Sequence, residues 1–429
     1  MNKYQHYKDS GLSIFGEIPS HWVTSKVKFC HNEFDERVED DWVNHSLLSL
    51  TKKGVIYRDI DSGKGKFPES FETYKKVRPN DLIFCLYDIE ETPRTIGLST
   101  FSGMITGSYK IFQTNNVLPE FSYYVFLTID DVKGLKPYYT GLRNVVRPET
   151  FKSLPFFIPP LSEQKQIVKY LDDKITIIDT LIVKTQQKID TLKELRTSII
   201  NNVVTKGLDP NVEMKYSGVE WIGKIPKHWK TIKLKYEGEV IIGLSYSPDN
   251  QVDENEGILV MRSSNVQNGK PSFEDNVYVN CLIPDKLITR KGDILICSRN
   301  GSRRLIGKNC LITSEIEGMS WGVFMTVYRS PSYSFFYWLL NSPVFESQSS
   351  LFLTSTINQL TVSTLENMVV PFVENKKEQQ QIVDYLDKQT NLIDTLIQKE
   401  QLRIEKLKEY RQSLISDVVT GKIKVTDYE

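Results

Sequence analysis

The sequence predicts an α+β protein: two mixed α/β blocks separated by two long helices, which pair as an antiparallel coiled coil about a pseudo-twofold axis. Three observations carry this reading. Residues Glu163–Thr205 align with Glu378–Thr420 at an offset of 215 without a gap, and about 25 of the 43 positions are identical. A second repeat, SGLSIFGEIPSHWVTSKVKF (Ser10–Phe29), matches SGVEWIGKIPKHWKTIKLKY (Ser217–Tyr236). Finally, a chain of 429 residues is too long for one ordinary core. The order is leading motif, variable block, helix, and then the same three again. The boundaries expected are a first domain at 1–160, a spacer helix at 161–206, a second domain at 207–375 and a second spacer at 376–429.

The repeated helices show a seam in alternating steps of three and four. In the first copy it runs Val168, Leu171, Ile175, Ile178, Ile182, Thr185, Ile189, Leu192, Arg196, Ile199, Val203. In the second it runs Val383, Leu386, Thr390, Ile393, Ile397, Glu400, Ile404, Leu407, Arg411, Leu414, Val418. About five heptads of mostly apolar seam predict a coiled coil rather than an ordinary core helix. Pro159-Pro160 precede an expected N-cap at Ser162, Asn375 with Glu378 resembles a capping box, and Gly207 and Gly421 close the C-termini. At 1.5 Å per residue each helix is on the order of 65 Å long. If the two lie side by side, the second must run back, bringing its C-terminus to the chain's own start. Ser10–Phe29 then follows the second helix in space as Ser217–Tyr236 follows the first in sequence. Thr185 and Glu400 fall near the middle. Either they form a polar layer that fixes alignment, or they are tolerated polar positions.

The blocks read as short strands broken by Gly, Pro and Asn, with helical patches at Phe121–Leu127 and Phe335–Leu340. At an offset of 212, DLIFC (from Asp81) aligns with DILIC (from Asp293), and a little later, after a loop two residues shorter in the second copy, Ile96-Gly97 align with Ile306-Gly307. Between these anchors LYDIEETPRT faces SRNGSRRL, a reversal of loop charge on a kept framework. Arg299, Asn300, Arg303, Arg304 and Lys308 lie in a stretch, Ile294–Ser314, that holds no acid. Arg suits guanine, Asn suits adenine, and Lys suits phosphate. The alternative is a solvated hairpin whose charges drifted. RSSNVQNGK adds Arg262 and Asn265, and the first block offers Lys52, Lys53, Arg58, Lys64, Lys66, Arg143 and Arg147. Each could hold an ordinary surface role; as a set on loops beside a rigid spacer they point to nucleic-acid recognition. Zero net charge argues against a uniformly basic surface, not against a basic reading face.

Catalytic motifs are not found. SGKGKF lacks the spacing of a phosphate-binding loop. The Pro-Pro of FIPPL lacks the polar residue that an adenine methyltransferase places before it, and no Gly-rich turn for an adenosyl cofactor follows a strand. Asp209, Glu213 and Lys215 resemble a nuclease set only on paper, because they fall on a linker past a helix end. The five histidines offer no metal spacing, and the repeated IP-x-HW reads as a Pro turn with a Trp anchor. Five scattered cysteines without C-x-x-C read as reduced thiols. The start lacks the apolar core of a signal peptide, and no apolar run is long enough for a membrane span, so a cytoplasmic location is expected.

PPLSEQKQIVKYLDDKITIIDTLI, KKEQQQIVDYLDKQTNLIDTLI and the twin IPSHW and IPKHW together resemble the specificity subunit of type I restriction–modification systems, over nearly the whole chain. The second copy departs from the pattern, reading PFVENKKEQQQI without Pro-Pro. The resemblance implies two target-recognition domains, each reading half of a split double-stranded DNA target, with the coiled coil setting the gap. It implies a chain without catalysis or cofactor of its own. Two modification subunits would supply S-adenosylmethionine and the methyltransferase site, and restriction subunits would supply ATP- and magnesium-dependent translocation and cleavage. Unequal loops imply an asymmetric target. The competing reading is a coiled-coil scaffold that makes no base-specific contact.

Overall fold

A computed structural model describes residues 3–59, 70–141, 144–352 and 359–425. The chain divides into two compact units, Met1–Gln186 with Leu402–Glu429, and Gln187–Gln401. Each unit therefore holds one block and one end of each long helix. The first helix runs Leu161–Lys206 and the second Lys376–Val419.

The heptad seam is buried or half-buried along both helices, and adjacent positions join it in the cores at the helix ends. In unit 1, Ile167, Leu171, Ile175 and Ile178 from the start of the first helix share a core with Leu414, Ile415, Val418 and Val419 from the end of the second. In unit 2, Ile200, Val203 and Val204 from the end of the first helix share a core with Ile382, Val383 and Leu386 from the start of the second. Start meets end in both, so the pairing is antiparallel. The Asp179–Arg411 ion pair at 3.1 Å in unit 1 has its counterpart, 215 residues shifted, in Arg196–Asp394 at 3.0 Å in unit 2. Glu400 is buried and paired with Lys188, whereas the buried Thr185 hydroxyl turns back to its own helix at the Leu181 carbonyl, 2.7 Å away.

Helix ends follow the sequence with two corrections. Ser162 is not the N-cap: the helix begins at Leu161, and the Pro160 carbonyl accepts from Gln164 N at 3.0 Å. Two prolines hold the chain extended up to that point, and helix starts where they stop. The Gln164 side chain ties the helix start to the block, donating to the Pro159 carbonyl at 2.8 Å and accepting from Leu118 N at 2.8 Å. Asn375 caps, accepting from Lys377 N at 3.0 Å, but the Glu378 half of the expected capping box is not made, because that carboxylate goes to Trp229 and His228. Gly207 and Gly421 sit at φ +73° and +70°, the left-handed turn that glycine supplies past a helix end.

Each block is built on the same four-stranded antiparallel sheet. In unit 1 the order is His31–Phe34, Lys110–Thr114, Leu82–Phe84, Ile96–Leu98; in unit 2 it is Glu239–Ile242, Met325–Arg329, Ile294–Cys297, Asn309–Leu311. A two-stranded ribbon returns each block to its helix: Val23–Lys26 with Pro155–Ile158, and Lys230–Lys233 with Val369–Phe372. The expected helical patches lie in the helices Pro119–Asp131 and Tyr333–Leu340. Unit 2 adds a second four-stranded sheet that includes a parallel pair, Ile258–Met261 with Ser320–Trp321. Among the described residues no helix is long and apolar enough to cross a membrane.

The leading motif is the joint between block and helices. Trp22 is fully buried; its Nε1 donates to Glu163 Oε2 at 3.0 Å, while His21 Nε2 lies 2.7 Å from Glu163 Oε1. In unit 2, Trp229 Nε1 donates to Glu378 Oε1 at 2.9 Å, and His228 Nε2 lies 2.9 Å from Glu378 Oε2. The Glu378 carboxylate is thus turned to this joint. The same tryptophans meet the opposite helix end: a Cβ on Gly421 would come within 3.1 Å of Trp22, and one on Gly207 within 3.4 Å of Trp229. The repeated Asp is likewise spoken for, Asp172 accepting from the Tyr124 hydroxyl and Asp387 from Trp338 Nε1 at 3.0 Å. In the shared pattern EQ-x-x-I-x-x-YLD, the Glu, Gln, Ile, Leu and Asp each fasten a block to its rod, whereas Tyr385 of the second copy is exposed.

Candidate nucleic-acid interface

Unit 2 carries a cleft of about 960 Å³ lined by Tyr246, Arg262, Ser263, Arg299, Asn300, Phe324 and their neighbours. Two segments form its working wall. One leaves the central strand Ile294–Cys297; the other is the turn entering Met325–Arg329. They are locked together, since Ser298 N and Arg299 N both donate to the Phe324 carbonyl at 3.0 Å. The Arg299 guanidinium lies 5.1 Å from the centre of the Phe324 ring, and that ring is 53% exposed. A cation over an exposed aromatic face offers both guanidinium donors and apolar surface to a base edge. Burial pushes the nearby Cys297 thiol up, so it is a neutral packing group whose sulfur lies 3.7 Å from the Arg299 carbonyl.

The structure sorts the residues expected from sequence. Arg299 is exposed at the cleft, and Arg303 and Arg304 are exposed on the short turn Arg303–Leu305 beside it. Arg262 lines the cleft but is paired with Asp275 at 2.8 Å. Asn300 is partly committed: its Nδ2 donates to Ser263 Oγ at 2.9 Å and its Oδ1 accepts from Ser302 N at 2.9 Å. Two expectations need correction. Asn265 is fully buried, accepting from Arg262 N at 2.8 Å and donating to the Ser272 carbonyl at 3.0 Å. Its amide braces the loop and reaches no surface. Lys308 donates to the carbonyls of Ser263 at 2.6 Å and Val266 at 2.8 Å, tying the same loop to the sheet.

In unit 1, Lys52 and Lys53 are exposed at the turn of the hairpin Leu48–Thr51/Gly54–Tyr57, with Arg58 exposed just after it. Arg147 is exposed and precedes the helix Pro148–Ser153. Lys64, Lys66 and Arg143 lie outside the described residues. Sequence reasoning passed over Phe324, whose signal was an aromatic beside Gly322 in a turn between strands.

The profile of the type I restriction modification DNA specificity domain matches residues 103–193 and 226–406. The type I restriction enzyme MjaVIII specificity subunit of Methanocaldococcus jannaschii is 29% identical over 299 residues, spanning 67% of this chain and 66% of that protein. The putative MjaX specificity subunit of the same organism is 27% identical over 454 residues, 98% of each. Among solved structures, a chain from a study of complex assembly and conformational transition of the type I R-M system matches with a TM-score of 0.73 at 17% identity, covering 95% of this chain and 99% of that one. The HsdS subunit of Thermoanaerobacter tengcongensis matches with a TM-score of 0.53 at 16% identity, covering 95% and 98%. Both share the fold. With the family profile covering most of the sequence and both repeats represented in it, this chain belongs to the type I restriction–modification DNA specificity family.

Proposed function

We propose that this chain is the DNA sequence-specificity subunit of a type I restriction–modification complex, in which each block reads one half of a bipartite, asymmetric target and the paired helices set the gap. The observation that supports this best is the pairing of a duplicated joint with unlike exposed loops: Glu163 and Glu378 make matching contacts, while the loops after Phe84 and Ile296 differ in charge. A stiff spacer admits one gap where a flexible linker would admit many. Arg299, Arg303 and Arg304 are the candidate base and phosphate contacts of unit 2, and Lys52, Lys53, Arg58 and Arg147 the candidate backbone contacts of unit 1.

The chain itself performs no chemistry in this reading. Modification subunits bring S-adenosylmethionine and the methyltransferase site, restriction subunits bring ATP- and magnesium-dependent translocation and cleavage, and the complex acts on double-stranded DNA in the cytoplasm. The test is selection of duplexes from a random pool by the chain reconstituted with its modification subunits, at several salt concentrations. A split motif with a fixed gap is expected, each wrong base pair costing about 1–3 kcal/mol. Binding without any selected sequence would instead identify a scaffold.

A further inference from the structure

The two blocks match contact by contact where the central strand of the four-stranded sheet ends. In unit 2 the Cys297 sulfur lies 3.7 Å from the Arg299 carbonyl; in unit 1 the Cys85 sulfur lies 3.4 Å from the Tyr87 carbonyl. Leu360 N donates to the Ser298 carbonyl at 2.8 Å, as Val146 N donates to the Leu86 carbonyl at 2.8 Å. Arg299 bridges Gln359, and Tyr87 bridges Val145. The opposing turn is closed by Met325 N to the Gly322 carbonyl at 2.8 Å, and in unit 1 by Tyr109 N to the Thr106 carbonyl at 3.1 Å. By these four correspondences Tyr87 stands for Arg299, Asp88 for Asn300 and Ser108 for Phe324. The side chains agree: Arg299 lies over Phe324, and the Tyr87 hydroxyl is 3.0 Å from Ser108 Oγ.

We infer that Tyr87, Asp88 and Ser108 are the specificity-determining residues of unit 1, and that Asp88 recognises a base carrying an exocyclic amino group, cytosine or adenine, where unit 2 presents Arg299 to guanine. The inference rests on the DNA-reading function proposed above and assigns its chemistry. Asp88 is exposed at φ +45°, and among the described residues its carboxylate makes no hydrogen bond. A carboxylate is acceptor-only, so it suits the amino group of cytosine N4 or adenine N6 and opposes the O6/N7 edge of guanine. The lysines of the neighbouring hairpin, Lys52 and Lys53, are left to phosphates, which hold the duplex without choosing its sequence.

The experiment is duplex selection with the reconstituted complex carrying Asp88→Asn, with Arg299→Ala and Lys52→Ala/Lys53→Ala alongside. Asparagine keeps the shape and tolerates the left-handed backbone at this position. Asp88→Asn is expected to change the preferred base at one position of one half-site and to weaken binding of the original target about ten- to hundredfold. The gap and the other half-site should stay as they were, and Arg299→Ala should alter that other half alone. The double lysine variant should lose affinity across all sequences. Asp88→Asn selecting the unchanged motif at unchanged affinity, in a complex whose wild type selects a split motif, overturns this assignment and leaves the proposed function standing. A wild-type complex that selects no motif overturns both.

Discussion

Glu163 and Glu378 are 215 residues apart and do the same thing, each accepting from the indole of a buried Trp and lying beside the neighbouring His. Tyr87 and Arg299 occupy equally matched places on the sheet and share no chemistry. Duplication preserved the contacts that a block needs to sit on its helix pair, because a lost partner there strands a buried polar group. At the ends of the central strands Arg299 and Phe324, like Asp88 and Ser108, are exposed, so the core constrains their chemistry less. The twin joint and the unlike loops are what a bipartite reader of an asymmetric target requires.

The comparison can be pressed hardest at the joint's apolar side. Leu171 and Leu386 are fully buried at equivalent seam positions. Replacing either with Ala should cost about 2–5 kcal/mol, and by similar amounts, in denaturant unfolding of the full chain. A silent substitution in one unit would show that the units are not packed alike. A second effect should break the symmetry. His31 is buried in unit 1 where unit 2 has Gly238, and burial pushes its pKa down to about 4. The unfolded chain therefore binds the extra proton first. Stability from this site is complete above the ordinary value near 6.5 and declines through the window down to about 4, by about 3 kcal/mol in all. NMR titration of His31 should show no protonation near pH 6, and His31→Gln should remove this part of the acid destabilisation.

Smaller effects follow from the clamps. Glu163→Ala and Glu378→Ala each leave a buried indole N–H without its acceptor, at a cost of about 1–3 kcal/mol. Calorimetry on the two variants should give matching losses; a loss at only one would mean that the joint is not shared. Smallest are the half-exposed pairs Asp179–Arg411 and Arg196–Asp394, for which double-mutant cycles should return about 0–1 kcal/mol apiece.

The rods were legible because a seam of three and four repeats states which face is buried, and 43 aligned residues state it twice. The Trp of IP-x-HW read correctly as an anchor, since a large side chain after a Pro turn has little else to do; its partner Glu163, 141 residues away, left no local trace. The cap at Ser162 was misread because its composition suited capping while the prolines had already fixed the start. Asn265 and Lys308 show the limit most clearly. Their amide and ammonium groups suit a base or a phosphate, and they equally suit backbone carbonyls, which is where the fold spends them. Tyr87, Asp88 and Ser108 carry no positive charge, so a reader built from acceptors and hydroxyls leaves no basic signature in the sequence.

The central claim is that two unlike reading heads stand on one duplicated frame. Sequencing the methylated adenines of a genome in cells expressing the complete system tests it most directly. The account predicts one motif made of two different half-sites at a fixed spacing. A palindromic or contiguous motif, or a split motif with variable spacing, would contradict it.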